Sequence, residues 1–279
     1  MIIKDYIPIM LFSAPTTVHK KNVAIWLFFL TFLIFLMIII GGLTRLTESG
    51  LSMVDWRPIL GIIPPLTNEN WLEVFSAYKS SPEFIIVNTS MNLEEFKYIF
   101  WWEWFHRFFA RFIGIVFILP LIFFVVKKAI SRRLLLTLII IFLFGLFQAL
   151  VGWWMVKSGL SDSPDVSQYR LTFHLINALI IFAILLWTAL NSSNNKIINF
   201  YSSSFPETIF LFGIMLLFIT IISGGFMAGT NAGQSFNTFP LMGGSIIPDD
   251  YIIDDYGLRN IFENTVAINF NHRWMGSFT

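Results

Sequence analysis

Long uninterrupted runs of apolar residues, each about the length of a membrane-spanning helix, dominate the pattern of this 279-residue chain. Such a helix needs about 20 mostly apolar residues. Five segments meet this length, and the predicted spans are 23–43, 104–126, 134–156, 171–190 and 208–228. A sixth apolar segment begins near Val266, and only about 14 residues, or about 21 Å of helix, follow before the sequence stops at Thr279. We therefore expect an incomplete sixth span and a truncated chain.

Composition supports the same fold class. Hydrophobic residues make up 56% of the chain and charged residues only 13%, whereas soluble domains carry about 25% charged residues. The pattern predicts an all-α integral membrane protein. Cysteine is absent, which excludes disulfides, thiolate nucleophiles and cysteine-ligated metal clusters. With a net charge of +1 and no basic stripe, we expect no nucleic-acid partner.

Basic residues cluster at the ends of spans that would lie on one side of the membrane. By the positive-inside rule they face the cytoplasm, which places the leader 1–22 inside and the segments 44–103, 157–170 and 229–265 outside. The basic residues that set this orientation are Lys4, Lys20, Lys21, Lys127, Lys128, Arg132 and Arg133. The first span is too long for a signal peptide, and no arginine-rich presequence precedes it. We predict a multi-pass protein of the bacterial inner (plasma) membrane with a cytoplasmic N-terminus, the mitochondrial inner membrane being the less favoured alternative.

Three of the four histidines lie at matched depth near the predicted outer surface. His106, His174 and His272 each fall near the start of an apolar segment that enters the membrane from outside. Imidazole is costly in hydrocarbon and is a good ligand for iron, so three imidazoles at one depth indicate a cofactor layer. The fourth, His19, lies in the basic leader and needs no such explanation.

An internal repeat relates two predicted outer segments, residues 38–65 and 221–249. The aligned identities that share one offset are Gly41/Gly224, Gly42/Gly225, Thr47/Thr230, Gly50/Gly233 and Ser52/Ser235. Downstream, the tripeptide Phe-His-Arg around His106 resembles Asn-His-Arg around His272. Either a four-helix unit is duplicated, or apolar helix ends with paired glycines recur by chance.

Duplication predicts how the chain divides. The expected parts are a cytoplasmic leader over 1–22, a first four-helix half over 23–190, a cytoplasmic linker over 191–207 and an incomplete second half over 208–279. In this scheme His106 and His174 belong to the first half, and His272 belongs to the second. The first half would hold one site and the second half the beginning of another.

The residues at the start of the second span that could carry chemistry are Glu103, His106, Arg107 and Arg111. Residues three and four apart are neighbours on a helix surface. In one interpretation they form a haem site, in which the imidazole ligates iron, the arginines meet porphyrin propionates, and Glu103 accepts a proton or stabilises developing positive charge. In the other they form a salt-bridged interfacial anchor whose arginines extend to water. The motif alone leaves both open.

A similar motif with fewer polar residues, Arg170 and His174, lies at the start of the fourth span. A lone histidine there could hydrogen-bond a neighbouring helix, but its depth match with His106 favours bis-histidine ligation of one haem iron between helices. His272 and Arg273 would form half of a second such site.

Other polar features need no cofactor. Gln148 and Asn177 lie inside predicted spans, and we expect hydrogen bonds between helices at these positions. The acidic run at 249–255 is more typical of a solvated loop than of a metal cluster. The sequence contains none of the nucleotide-binding or hydrolase motifs that would point to another function.

Five segments together are specific enough to identify a family. They are GGLTRLTESGLSMVDWRP (41–58), EWFHR (103–107), SDSPDVSQYRLTFHL (161–175), GGFMAGTNAGQSFNTFP (224–240) and RNIFENTVAINFNHR (259–273). From about residue 23 to the end, the chain resembles the haem A synthase family in the form found in mitochondria and related bacteria. Bacillus-type members carry cysteine pairs in outer loops, and the absence of cysteine here fits the other branch.

The resemblance implies a fold and a set of roles. It implies a helical bundle of two pseudo-symmetric four-helix halves, of which five complete transmembrane helices and the start of a sixth are present here. It implies that His106 and His174 flank the substrate haem O, and that His272 ligates the iron of a haem B. It also implies that Glu103 takes a direct part in the oxidation.

The reaction that the resemblance implies is oxidation of the C8 methyl group of haem O to a formyl group, which gives haem A for cytochrome oxidase. No side chain oxidises an unactivated methyl group, so a redox cofactor must carry the chemistry. We expect electrons to pass through the second haem. The expected partners are haem O, a haem O synthase, an electron donor, the cytochrome oxidase assembly pathway and the lipid bilayer.

Two other classes of function remain open at this point. A non-enzymatic membrane b-type cytochrome or haem carrier would need the same histidine ligands but would not need Glu103. A structural or transport bundle would need no cofactor at all, which the depth-matched histidines disfavour.

Overall fold

The computed structural model describes residues 20–56, 60–161, 163–193 and 205–279, and every regular element in these residues is helical. Their α-helices are α1 (Lys20–Leu46), α2 (Asn68–Lys79), α3 (Pro82–Ile86), α4 (Leu93–Val126), α5 (Arg132–Gly159), α6 (Gln168–Ser193), α7 (Phe205–Gly229), α8 (Asn260–Glu263) and α9 (Thr265–Phe278). The leader up to His19, which includes Lys4, and residues 194–204 of the predicted linker lie outside the described residues.

Five of these helices are long and apolar enough to cross a membrane, which confirms the five predicted spans and the all-α integral membrane class. They are α1, α4, α5, α6 and α7. Most extend a few residues beyond the predicted apolar run at each end, because a helix can continue into polar flanks outside the hydrocarbon. Helix α9 begins one residue before the predicted start of the sixth segment, and the Asn264 side chain caps it by accepting from the Val266 N–H.

The described residues divide into two compact units. The first unit holds the described residues up to Trp153 together with those from Asn177 to Ser193. The second unit holds the described residues of 154–176 and those from Phe205 onward. The two halves inferred from the repeat, 23–190 and 208–279, stay a prediction.

In the first unit, four helices pack around one apolar core at a single end. The core joins the start of α1, the end of α4, the start of α5 and the end of α6, so consecutive spans run antiparallel. Its buried residues are Val23, Trp26, Leu27, Leu30, Phe117, Phe124, Ala129, Leu134, Leu138, Ile141, Ile181, Leu185 and Ala189. Away from this core, Asn177 of α6 donates to the side-chain carbonyl of Gln148 on α5 over 2.6 Å, which confirms the expected hydrogen bond between helices.

A proline inside α4 frees a backbone carbonyl within the apolar part of the first unit. Pro120 has no N–H, so it cannot donate to the carbonyl of Val116 four residues earlier. The indole N–H of Trp26 on α1 donates to that carbonyl over 3.0 Å. Membrane helices commonly satisfy freed carbonyls through a neighbouring helix, because hydrocarbon holds no water. Trp26 also packs its ring against Phe117 and Phe124, so it joins α1 to α4 in two ways.

The segment between α1 and α4, which the sequence predicts only to lie outside the membrane, contains folded structure. Helices α2 and α3 pack on the first turns of α4 through a second apolar cluster. Its buried residues are Trp71, Phe75, Tyr78, Phe96, Ile99 and Phe100. Helix α4 therefore begins at Leu93, well before the predicted span, and Asn92 and Glu95 cap it reciprocally. The extra turns carry α4 beyond the apolar run that begins near residue 104.

A buried hydrogen-bond chain completes this outer structure. The Tyr78 hydroxyl donates to Glu83 Oε2 and accepts from the Asn88 amide, each over 2.9 Å. Burial and the neighbouring Glu83 carboxylate raise the pKa of the Tyr78 phenol above its ordinary value. The phenol therefore stays protonated and keeps donating to Glu83 across the physiological range.

In the second unit, the end of α7 lies directly against the start of α6. A Cβ on Gly229 would lie 2.7 Å from the backbone Cα of Gln168, so only glycine permits this approach. Tyr169 packs edge-on against Phe226, and its hydroxyl donates to Glu263 over 2.9 Å. These contacts fix the start of α6 against α7 and against the end of α8.

We predict that Trp26→Phe destabilises the first unit, because the ring packing survives while the Val116 carbonyl loses its donor. The expected loss is about 1 kcal/mol in the free energy of unfolding, the order found for hydrogen bonds between membrane helices. Unfolding of the purified protein in detergent measures it. In a Pro120→Ala background a backbone N–H becomes available to Val116, so the same change should have a smaller effect. Equal losses in both backgrounds would contradict this account.

Candidate functional site

A buried carboxylate on α4 holds together the end of the first unit that lies opposite the apolar core. Glu103 is 3% exposed. Its Oε2 accepts from the Ser52 hydroxyl and from the Met53 backbone N–H, both over 2.7 Å. Its Oε1 lies 2.5 Å from Nη2 of Arg107, one turn further along the helix. The neighbours expected from the sequence therefore form an ion pair.

This ion pair ties the segment after α1 to α4. Arg107 Nη2 also donates to the Met53 carbonyl over 3.2 Å, so both main-chain groups of Met53 are bonded to the pair. Small polar residues shape the turn that leads to Met53, with the hydroxyls of Thr47 and Ser49 lying 2.7 Å apart. Hydrogen bonds to ionised groups are the strong kind, so the position of this segment depends on Glu103 and Arg107.

His106 follows Glu103 by three residues and lies against α1. A Cβ on Gly41 would lie 3.4 Å from His106 Nε2, so a glycine at this position lets the imidazole ring pack close to the helix backbone. The side chain is half-buried. The first unit thus brings together an imidazole, a carboxylate and a guanidinium at one end of its helices.

The second unit repeats this arrangement around His272 on α9. A Cβ on Gly224 of α7 would lie 3.1 Å from His272 Cε1. The Ser223 hydroxyl lies 2.7 Å from His272 Nδ1. The next residue, Arg273, donates to the backbone carbonyls of Phe236 and Thr238 in the segment after α7.

The two arrangements correspond to one another contact by contact. In each, a helix-end glycine faces the imidazole, and the arginine after that imidazole bonds to the main chain of the segment that follows the glycine helix. The corresponding pairs are Gly41/Gly224, His106/His272, Arg107/Arg273 and Met53/Phe236. A shared set of contacts argues against chance recurrence of glycine and supports a duplication.

The two arrangements differ at the position of the carboxylate. Asn269 precedes His272 by three residues, as Glu103 precedes His106. Asn269 is fully buried, and its amide donates to the Ala232 carbonyl over 2.6 Å. An amide is neutral at every accessible pH, so of these two aligned positions only that of the first copy carries a negative charge beside the imidazole.

The remaining predicted site residues lie on α6 and α4. His174 belongs to the second unit, and four residues before it Arg170 stacks on the Trp154 ring, 4.5 Å from its centroid, and donates to the Trp154 carbonyl over 2.8 Å. His106 belongs to the first unit, so joint ligation of one haem by these two histidines stays a prediction. Arg111 lies on α4 one turn beyond the ion pair, and the predicted propionate contacts of all four arginines likewise stay predictions.

Sequence reasoning did not find several residues that hold this site. Met53 acts through its main chain, which no side-chain pattern reports. Ser52 aligns with Ser235 in the repeat, but the alignment alone predicts no role for it. Ser223 directly precedes Gly224, the first residue of the aligned glycine pair. This position next to the repeat is the sequence signal that could have identified Ser223.

The long apolar helices with polar, histidine-bearing ends define a multi-pass α-helical membrane protein. The model of the family described as "Cytochrome oxidase assembly protein" matches residues 24–279. The chain belongs to this family.

Similar proteins named heme A synthase occur in several organisms. The one from Nitrosospira multiformis is 47% identical over 257 residues, which cover 91% of this chain and 72% of that protein. The one from Parvibaculum lavamentivorans is 44% identical and covers 92% of this chain and 74% of that protein. The one from Nitrosomonas eutropha is 45% identical and covers 94% and 76% respectively. No solved structure matches the chain.

We predict that Arg107→Gln destabilises the first unit by about 3 kcal/mol, because it leaves the buried Glu103 charge without its cation. Detergent unfolding curves of the variant and the parent provide the measurement. The matched control is Glu94→Gln, which breaks the exposed ion pair with Lys97 on the same helix and should change stability by less than about 0.5 kcal/mol. Similar small losses in both variants would show that the buried pair is not what fixes this end of the unit.

Proposed function

We propose that this chain is a membrane oxidoreductase that converts haem O into haem A by oxidising the C8 methyl group to a formyl group. The observation that carries the proposal is the buried Glu103 carboxylate three residues before His106, in a position where the second copy has the neutral Asn269. A fixed carboxylate can accept a proton or stabilise positive charge that develops during oxidation. The relatives named heme A synthase support the same reaction.

The histidine environments fit axial ligation of haem iron. A ligating imidazole binds iron through one ring nitrogen and commonly donates a hydrogen bond from the other. His272 has Nδ1 beside the Ser223 hydroxyl, which suits Nε2 as the iron ligand. We propose that His106 and His174 are ligands of the substrate haem O and that His272 is a ligand of a haem B iron.

The arginines supply positive charge for the porphyrin carboxylates. We propose that the propionates are met by Arg107, Arg111, Arg170 and Arg273. Both described bonds of Arg107 leave from Nη2, and a guanidinium has five N–H groups in total, so the same side chain can hold Glu103 and bind a second carboxylate. A bound haem B would supply the one-electron redox chemistry that side chains lack.

Glu103 has two roles in this proposal. Its three donors hold the carboxylate in one orientation, so it is already in place when positive charge develops on the substrate or a proton leaves it. The same bonds anchor the segment after α1. Anchoring alone would suit the second candidate function, a b-type cytochrome or haem carrier. The asparagine at the aligned position favours the enzyme, because Asn269 is buried as Glu103 is but carries no charge.

We propose a bacterial inner membrane location with the N-terminus in the cytoplasm. Lys20 and Lys21 at the start of α1 and Arg132 and Arg133 at the start of α5 lie at the end of the first unit opposite Glu103, as the positive-inside rule requires of a cytoplasmic end. We further propose that a haem O synthase supplies the substrate and that a separate electron donor serves this protein, with a haem B, when bound, supplying the redox chemistry.

We predict that Glu103→Gln stops methyl oxidation but preserves haem binding, because the amide keeps the shape and removes the charge. Haem A formation should fall about 100-fold or more. Extraction of the haems and chromatographic separation of haem O from haem A measure the conversion.

Ser52→Ala is the matched control, since it removes one anchoring bond and leaves the carboxylate charged. It should retain most of the conversion. An equally severe loss in Ser52→Ala would show that Glu103 acts through the anchor. Normal haem A output from Glu103→Gln with native haem content would discard the catalytic role.

Single alanine replacements of the three histidines should separate the two haems. His272→Ala should lose haem B and retain haem O, whereas His106→Ala and His174→Ala should lose bound haem O and haem A and retain haem B. The Soret absorbance and the extracted haem composition of each purified variant report this. Haem B alone in the parent protein would favour the cytochrome, and a parent spectrum without any Soret band would contradict both candidate functions.

A further inference from the structure

The Ser223 hydroxyl bridges helix α7 and the imidazole of His272. Its Oγ donates to the carbonyl of Thr220 over 2.7 Å and lies 2.7 Å from His272 Nδ1. A serine hydroxyl carries one hydrogen, and because Thr220 receives it, the oxygen can only accept from the ring. Nδ1 of His272 therefore carries the ring hydrogen, and Nε2 keeps its lone pair.

The surroundings also restrict rotation of this ring. The Cβ position of Gly224 lies 3.1 Å from His272 Cε1, so the ring has little room to turn toward α7. A ligating histidine gains a fixed tautomer, a fixed orientation and a more basic second nitrogen from a hydrogen-bond partner such as Ser223. Ser223 thus prepares Nε2 for a metal.

The first copy has no such partner at the matching position. Gly41 aligns with Gly224, so Ile40 aligns with Ser223, and an isoleucine side chain offers no hydrogen-bond acceptor. The two rings are also turned differently, because Nε2 of His106 is the ring atom nearest to Gly41, at 3.4 Å from its Cβ position. Among the described residues, the two imidazoles share a packing arrangement, but only that of His272 has a hydroxyl partner at this position.

We infer that Ser223 is a positioning residue that makes the His272 site hold a resident haem, in contrast to a first copy whose haem must leave. This inference rests on the proposed function. An electron-carrying cofactor has to stay through many turnovers, whereas the product haem A has to be released toward cytochrome oxidase. A hydrogen bond at Nδ1 makes Nε2 a stronger donor to iron, which favours retention and stabilises the ferric state.

The test compares Ser223→Ala and Ser223→Thr in the purified protein. In Ser223→Ala, transfer of b-type haem to excess apomyoglobin should be about 10-fold faster or more, and the midpoint potential of this haem should rise. Ser223→Thr keeps a hydroxyl and should restore both values. Ser277→Ala is the control, because the Ser277 hydroxyl on α9 bonds only to the Arg273 carbonyl in the described residues, and both values should stay at those of the parent.

Each outcome decides the inference. An unchanged potential and an unchanged rate of haem loss in Ser223→Ala would overturn it. If Ser223→Ala purifies without b-type haem, recovery of that haem in Ser223→Thr supports the inference, and failure of recovery overturns it. His272→Ala distinguishes failure of this inference from failure of the proposed function, because retention of b-type haem in that variant would refute His272 as the ligand, whatever Ser223 does.

Discussion

The buried ion pair between Glu103 and Arg107 is the interaction on which the outer end of the first unit depends. Moving two charges out of water is unfavourable, and it is sustained only where further hydrogen bonds complete both groups. Here the Ser52 hydroxyl and both main-chain groups of Met53 complete them. The segment after α1 is therefore fixed to α4 at the level of His106. The residue that carries this structural charge is also the one that we propose takes part in the oxidation.

The two copies of the repeat share one packing arrangement. Both place a glycine against an imidazole and an arginine against the following main chain. Two of the differences between the copies bear on the roles that we propose for them. Glu103 in the first copy is replaced by Asn269 in the second, which removes the charge, and Ile40 in the first is replaced by Ser223 in the second, which adds a hydrogen bond. These two differences are the basis of the separate roles that we propose for the two copies.

The membrane imposes a further requirement, because an unpaired polar group in hydrocarbon has no water to bind. Two hydrogen bonds between helices of the first unit illustrate how it is met. Trp26 donates to the carbonyl freed by Pro120, and Asn177 donates to Gln148. Each bond fixes two helices relative to one another. Apolar packing alone does this weakly, since lipid chains are as apolar as the side chains of a neighbouring helix.

The sequence by itself determined the five spans, because an apolar run of about 20 residues in a bilayer can satisfy its backbone only as a helix. It also determined that Glu103 and Arg107 are neighbours, since helical spacing is local. Tertiary structure decided that α4 begins at Leu93, because α2 and α3 pack against its first turns. It likewise decided that Met53 contacts Glu103 and that Ser223 contacts His272. Their contacts join residues about 50 positions apart, and a distant pairing of this kind leaves no periodic trace along the chain.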